Sequence, residues 1–171
     1  MKNGLVYLRP SRLTYVRHTG CYAKTIPAAW ADMMAWLIKT GLNTPTGRSY
    51  GLLRDCPSKV AAENCRFDAC IELDPLFEER AIRELGAQTL PGGSYLRVRN
   101  TGPYTELNTK LSDFHKSFDL PEGLKLDERR PLVAIYLDNP LRADDASVRA
   151  EICLPVGVSA SRGEDGGRAA A

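Results

Sequence analysis

Short runs rich in apolar and β-branched residues, some of them alternating with polar residues, recur along the chain, a pattern typical of β-strands. The segments are residues 5–8, 13–17, 49–53 and 66–73, and later 87–90, 95–99, 132–137 and 148–156. Two longer segments carry apolar residues at helical spacing instead. The first contains Ile26, Trp30, Met33, Met34 and Leu37, and the second contains Leu107, Leu111, Phe114 and Phe118. The predicted order of elements is β-β-α-β-β, twice.

Residues rich in proline and glycine separate the first two strands of each half. Residues 9–12 (RPSR) and 91–93 (PGG) are predicted to be the turns of two β-hairpins. The second is the clearer turn, since glycine supplies the backbone angles that a tight turn needs. In the linker between the halves, residues 77–83 form either a helical turn or the start of the next strand. From residue 157 onward Gly, Ser, Ala and charged residues dominate, which predicts a disordered tail over 157–171.

The two halves of the sequence match each other at three places in the same order. Residues 16–22 match 98–104 at five of seven positions, 55–57 match 138–140, and 66–71 match 149–154, with an offset of 82 or 83. These matches predict half-repeats 4–75 and 84–156 within one domain, 1–156. The expected fold is α+β, with an antiparallel sheet, two long helices on one side and a central cleft between the units.

Composition and charge narrow the class of protein. The 171 residues are 43% hydrophobic and 26% charged, and the net charge is +2, as in a soluble globular domain. So small a positive charge does not support a DNA-binding surface, and no helix-turn-helix pattern predicts direct nucleic-acid readout. Because no apolar run is long enough for a membrane span or a signal peptide, a cytoplasmic protein without a membrane partner is expected.

Sequence motifs for metal, cofactor or nucleophile chemistry are missing. The five cysteines form no C-x-x-C pair, and the two histidines, His18 and His115, are far apart. A structural zinc site is therefore not expected. There is also no phosphate-binding loop, nucleophile elbow or H-E-x-x-H sequence. We expect neither a metal nor another cofactor.

Glu151 is the acidic residue of the last predicted strand. Alternation places its side chain opposite the more apolar row of that strand. If this face is in water, Glu151 is an ordinary surface charge. If it faces the cleft, Glu151 is a buried carboxylate that needs a partner, which a cationic ligand would supply. The equivalent residue of the first half, Asp68, is predicted to form a structural ion pair with Arg66 and Arg54.

Aromatic residues occupy several positions near the predicted cleft. Tyr22 and Tyr104 follow a Thr-Gly break at the start of each helix, Trp30 and Phe114 lie on the helices, and Tyr136 lies on a central strand. Aromatic faces attract cations by about 0.5 to 2 kcal/mol. The same residues equally suit a hydrophobic core, so lining and core filling both stay open.

Several motifs together resemble the GyrI-like family, which includes the DNA gyrase inhibitor protein and effector-binding domains of AraC-type and MerR-type regulators. The motifs are residues 55–57 (DCP), 61–70 (AAENCRFDAC), 90–95 (LPGGSY), 101–104 (TGPY), 136–140 (YLDNP) and 151–156 (EICLPV). Each motif is loose, but their ordered set is specific. The resemblance covers about residues 4–156.

The resemblance implies duplicated SHS2-type β-α-β-β units around a cleft for small molecules that are often aromatic and cationic. In drug-binding members an acidic residue of the last strand faces that cleft, and Glu151 matches it. Other members are hydrolases that open strained cyclopropane rings with the help of a pocket carboxylate. Cys21 departs from the family, which usually has proline before the first tyrosine.

The sequence therefore predicts binding of a small aromatic or cationic organic molecule between the two halves, with Glu151 as the charge anchor. The predicted walls are Tyr22, Trp30, Tyr104, Phe114 and Tyr136. Two alternatives stay open: a hydrolase of strained electrophiles in which Glu151 assists the addition of water, and an inhibitor that docks on DNA gyrase. A regulator role would need a DNA-binding domain outside this sequence or on another protein.

Overall fold

The computed structural model describes residues 4–41, 47–113, 120–140 and 146–159. The strands in this part of the chain are Gly4–Leu8 (β1), Ser11–Thr19 (β2), Ser49–Leu53 (β3), Arg66–Glu72 (β4), Ala87–Leu90 (β5), Gly93–Thr101 (β6), Leu124–Leu126 (β7), Leu132–Tyr136 (β8) and Arg149–Val158 (β9). The helices are Tyr22–Lys39 (α1), Glu78–Glu84 (α2) and Tyr104–Asp113 (α3), with a short 3₁₀ turn at Ala62–Asn64.

The predicted α+β class is confirmed. All of the predicted strands form, and the ambiguous linker at 77–83 is helical, as α2. The sequence pattern missed β7, which has only three residues and therefore shows no clear alternation. Phe114 and Phe118, which were predicted to extend the second helix, lie outside the described residues.

The helix α1 forms because its apolar residues recur every three or four positions and share one face. Ile26, Met33 and Leu37 on that face are completely buried. The helix ends at Lys39, where the Thr40 hydroxyl donates to a carbonyl of the last turn. Gly41 follows with a φ of +82°, a conformation that costs little without a Cβ atom.

The strands form an antiparallel sheet in the order β1-β6-β9-β8-β3-β4-β2-β5, and β7 pairs with the far end of β9. Only two residues join β1 to β2, and only two join β5 to β6. Since each of these pairs of strands lies at opposite ends of the order, the sheet must curl until its ends approach. The result is a half-barrel with an inner and an outer face.

The first strand of each half pairs with the other half, which corrects the predicted hairpins. β1 lies beside β6, and β5 lies beside β2. β2 already has β4 on its other side, so β5 leaves no free edge for β1. The exchange also brings Val6, Leu8 and Leu90 into the apolar cluster of the inner face, where they bury surface from both ends of the sheet.

Each face of the sheet carries a buried cluster. On the outer face, α1 and α3 pack over residues such as Phe67, Ala134 and Ile152. On the inner face, Leu13 and Tyr95 are completely buried in a cluster to which the described helices contribute no residue. The curl of the sheet therefore covers the inner cluster, and the outer face is the one on which helices can form a cleft.

Equivalent side-chain contacts occur in both halves. The Tyr22 hydroxyl donates to the Asp55 carbonyl at 2.7 Å, and the Tyr104 hydroxyl donates to the Asp138 carbonyl at 2.8 Å. Both tyrosines start a helix, and both carbonyls belong to the segment after a central strand. The two donors are 82 residues apart in sequence and the two acceptors are 83 residues apart, which is the offset that an internal duplication predicts.

The strand β9 continues to Val158, beyond the predicted end of the domain at residue 156. Gly157 and Val158 pair with β7, and the Ser159 amide donates to the Gly123 carbonyl at 2.9 Å. The predicted disordered tail therefore begins too early, because the unpredicted β7 supplies hydrogen-bond partners for these residues. Residues 160–171 lie outside the described residues.

Candidate functional site

A cleft of about 270 Å³ lies between α1 and α3 on the outer side of the sheet. It is lined by Pro27, Trp30, Ala31 and Met34 from α1, by Tyr104, Thr105 and Asn108 from α3, and by Tyr136 and Pro140. This lining is mostly apolar and aromatic, which is the usual composition of a small-molecule site. No acidic residue is part of the described lining.

Three of the predicted wall residues meet in this cleft, with Tyr136 at their centre. The Trp30 and Tyr136 ring centroids are 4.9 Å apart with an interplanar angle of 78°, and those of Tyr104 and Tyr136 are 5.0 Å apart at 87°. Edge-to-face pairs of this kind contribute about 0.5 to 1.5 kcal/mol beyond their buried area. Tyr136 comes from β8, so the floor of the cleft is rigid sheet.

Gly51 of β3 leaves the space into which the Tyr136 side chain reaches. A Cβ atom at this position would stand 2.9 Å from the Phe67 ring and 3.2 Å from the Tyr136 hydroxyl oxygen. Carbon atoms in good contact are about 3.5 to 4.0 Å apart. Glycine therefore fixes how deep Tyr136 lies, and with it the depth of the cleft.

Two polar atoms beside the cleft are buried without a well-formed hydrogen bond to any described residue. They are the Trp30 indole nitrogen and the Tyr136 hydroxyl oxygen. Burial raises the pKa of the Tyr136 phenol well above its ordinary value, so the phenol keeps its proton. Both groups can therefore donate a hydrogen bond.

Tyr22 and Phe114, also predicted as walls, are not part of the described lining. The Tyr22 hydroxyl donates to the Asp55 carbonyl, and the buried ring fills the core at the start of α1. For this residue core filling, one of the two interpretations left open, is the one observed. Phe114 lies outside the described residues.

The structure does not bring Glu151 to the cleft. Alternation along β9 puts its side chain on the inner face, whereas Trp30 and Tyr136 lie on the outer side of the sheet. Glu151 is 9% exposed, and its Oε1 lies 3.4 Å from Arg97 Nη1 and 3.3 Å from Arg99 Nε. The sequence correctly separates the two faces of the strand but does not reveal which one looks toward the helices.

Asp68 occupies the position equivalent to Glu151 and is held far more tightly. Its carboxylate is fully buried and receives hydrogen bonds from Arg17 at 2.6 and 2.8 Å, from Arg54 at 2.8 Å and from Gln88 at 3.0 Å. The predicted ion pair with Arg54 is present. Arg66 pairs with a different residue, the Asp55 of its own hairpin.

Several cleft residues were not predicted from the sequence. Pro27, Ala31 and Met34 lie on the α1 face that contains Trp30, at spacings of three, one and four residues from it. Helical spacing from Trp30 could have suggested Pro27 and Met34. Ala31 is exposed and too small to stand out as an apolar position in the sequence. Pro140 follows β8 in residues 138–140, which the sequence analysis identified only as part of the internal repeat and of a family motif.

A second, polar cavity of about 200 Å³ adjoins the cleft, because Tyr136 and Pro140 line both. Its other lining residues include Ser49, Asp138 and Asn139. Within the described ranges, no group of three His, Cys, Asp or Glu side chains is placed to hold a metal ion. None of the described helices is long and apolar enough to cross a membrane.

Solved structures of low sequence identity share the fold. EcmrR in complex with DNA gives a TM-score of 0.63 at 18% identity, covering 92% of this chain and 58% of that one. SAV2435 bound to tetraphenylphosphonium gives 0.61 at 14% identity, covering 92% and 94%. A hydrolase from Listeria innocua gives 0.51 at 17% identity, covering 91% and 92%.

The chain thus spans little more than half of the EcmrR chain in the DNA complex but nearly all of SAV2435. No curated protein matches the sequence. The model of one family, described as the GyrI-like small molecule binding domain, matches residues 1–157. The chain therefore belongs to the GyrI-like family of small-molecule-binding domains.

Proposed function

We propose that this protein binds a small, planar organic molecule in the cleft between α1 and α3. The observation that carries the proposal is the cluster of Trp30, Tyr104 and Tyr136 around one cavity of about 270 Å³. An apolar cavity of about 150 Å³ is enough to bind benzene, so this cleft has room for about two fused rings. The family membership and the ligand-bound state of SAV2435 support the proposal.

Affinity would come from apolar area and from the aromatic faces, without a charge anchor at Glu151. A planar cation remains compatible with the lining, since ring faces attract cations without a carboxylate. Glu151 lies on the other face of the sheet beside Arg97 and Arg99, so a ligand in the cleft cannot reach it. The earlier expectation of Glu151 as anchor is therefore not part of this proposal.

The hydrolase alternative lacks a supporting feature in the described cleft, and none of the relatives reported above is a gyrase inhibitor by its name. A mechanism with a pocket carboxylate needs an acid beside the substrate. No described lining residue is an Asp or Glu. The likeness to a hydrolase, at 17% identity, concerns the fold alone. The chain covers only 58% of the EcmrR chain in the DNA complex. A role as the ligand-sensing domain of a longer regulator would also be small-molecule binding and therefore belongs to the same proposal.

Filling the cleft from its rim tests the proposal. Ala31 is exposed on α1 and lines the cleft, so Ala31→Trp should occupy the ligand space without disturbing the core. We expect binding of two-ring aromatic probes such as N-methylquinolinium and coumarin to weaken by about tenfold or more, equivalent to ~1.4 kcal/mol. Equilibrium dialysis measures the dissociation constants.

Ala35→Trp is the matched control, because Ala35 is also exposed on α1 but lies outside the cleft lining. Its affinity for the probes should equal that of the unmodified protein. Equal losses in both variants, or unchanged binding in Ala31→Trp, would place the ligand elsewhere and refute the proposal.

A further inference from the structure

The two unpartnered polar groups beside the cleft carry information about the ligand. Trp30 is 8% exposed and Tyr136 is 4% exposed, yet neither the indole nitrogen nor the phenol oxygen has a well-formed hydrogen bond to a described residue. The weak contact between the Trp30 indole and the Tyr136 oxygen leaves the phenol O–H without an acceptor. Buried polar groups are nearly always hydrogen-bonded, because leaving one unpaired costs its full desolvation penalty. Two such groups in one aromatic cluster indicate that their partner comes from outside the described part of the chain.

The chemistry of these groups restricts that partner. An indole N–H only donates, and the protonated Tyr136 phenol has one O–H to donate. If the indole turned to the phenol oxygen, the phenol O–H would still need an acceptor. The pair therefore always has at least one surplus donor, which a purely cationic or hydrocarbon ligand cannot satisfy.

The other described side chains of the cleft do not offset this surplus. Thr105 and Asn108 also line it, but neither accepts a hydrogen bond from Trp30 or Tyr136. The Tyr104 hydroxyl already donates to the Asp138 carbonyl at 2.8 Å, so only its ring is presented to the cleft. The described lining contains no carboxylate that could accept from Trp30 or Tyr136, or that would favour a cation over a neutral molecule.

From these donors we infer that the preferred ligand is an uncharged planar molecule with a carbonyl oxygen, which accepts from Tyr136 and Trp30. The inference rests on the proposed function and names its ligand class. Neither donor atom is open to solvent, so the carbonyl reaches them by inserting between the two rings. The ligand then replaces their edge-to-face contact with its own aromatic surface.

Three bicyclic probes of similar size separate the possible ligand classes. Coumarin carries a carbonyl, naphthalene carries no acceptor, and N-methylquinolinium carries a positive charge. By equilibrium dialysis we expect coumarin to bind about tenfold more tightly than either of the others, the effect of about one hydrogen bond. Tyr136→Phe should bring coumarin close to naphthalene while naphthalene itself is unaffected.

Tyr50→Phe is the control, since the buried Tyr50 hydroxyl donates to Glu72 on the inner face. This variant should keep the full preference for coumarin. Trp30→Phe, which retains an aromatic ring, provides a second test and should lower that preference too. Circular dichroism checks that each variant is folded.

Equal binding of coumarin and naphthalene, or tighter binding of N-methylquinolinium, would overturn the acceptor inference and leave the proposed function standing. An unchanged preference in both Tyr136→Phe and Trp30→Phe would also overturn it. If none of the three probes binds, the proposed function fails together with the inference.

Discussion

Asp68→Asn is expected to lower the free energy of unfolding by about 3 to 5 kcal/mol, as breaking a buried ion pair does. The Asp68 carboxylate is fully buried and contacts Arg17 at 2.6 Å and Arg54 at 2.8 Å. An asparagine cannot neutralise these two guanidinium groups, whose side chains are only 35% and 25% exposed, so water would compensate for the lost carboxylate only in part. Urea unfolding followed by circular dichroism measures the loss.

The equivalent residue of the second half provides the control. Glu151 approaches Arg97 and Arg99 only at 3.4 and 3.3 Å, and the Arg99 side chain is 71% exposed. Because water can solvate the Arg99 guanidinium once its partner is gone, Glu151→Gln should cost only about 1 kcal/mol although Glu151 itself is buried. Similar losses in Asp68→Asn and Glu151→Gln would contradict this account of the two positions.

The same ion pairs predict how stability depends on pH. Burial alone would raise the pKa of Asp68, but hydrogen bonds from Arg17, Gln88 and Arg54 hold it below its ordinary value. A carboxyl group with a depressed folded-state pKa stabilises the fold above its unfolded pKa of about 3.9, and this contribution is lost as the pH falls toward the folded pKa. Asp68→Asn should therefore differ most from the unmodified protein near neutral pH and progressively less below pH ~4.

Local sequence patterns identify the strands and helices but not which strands pair. The runs that became β1 and β2 are separated by a proline-containing turn, which favours a hairpin by itself. The observed exchange of β1 and β5 depends on burying Val6, Leu8 and Leu90 in one cluster. Residues so distant in sequence interact only once the sheet has curled, so short-range spacing carries no sign of the exchange.

The candidate site was predictable to the extent that it depends on residue type. Trp30, Tyr104 and Tyr136 were identified as aromatic residues near the junction of the halves, and they share the cleft. The separation of Glu151 from them was not predictable, because alternation distinguishes two faces without saying which one the helices cover. The space at Gly51 was missed as well, since a glycine in a strand leaves no pattern of its own.

Gly51→Ala is expected to reduce both stability and ligand binding, because the floor of the cleft depends on the absence of a Cβ atom there. The added methyl group would meet the Phe67 ring at 2.9 Å and the Tyr136 oxygen at 3.2 Å. Overpacking of this kind costs about 1 to 3 kcal/mol. A Tyr136 ring displaced toward the cleft would occupy ligand space, so coumarin affinity in equilibrium dialysis should fall by about tenfold, or ~1.4 kcal/mol.

Gly157→Ala separates this steric effect from the general effect of replacing a strand glycine. A Cβ atom at Gly157 of β9 would meet nothing within 4 Å, so stability and binding should be unchanged or slightly improved. The double variant Gly51→Ala/Tyr136→Phe lacks the Tyr136 oxygen at 3.2 Å. Its loss of stability should therefore be smaller, by about 0.5 kcal/mol or more, than the sum of the losses in the two single variants. If the two substitutions add without coupling, Gly51 does not position Tyr136, and the depth of the cleft must be set by the contacts of Tyr136 with Trp30 and Tyr104 instead.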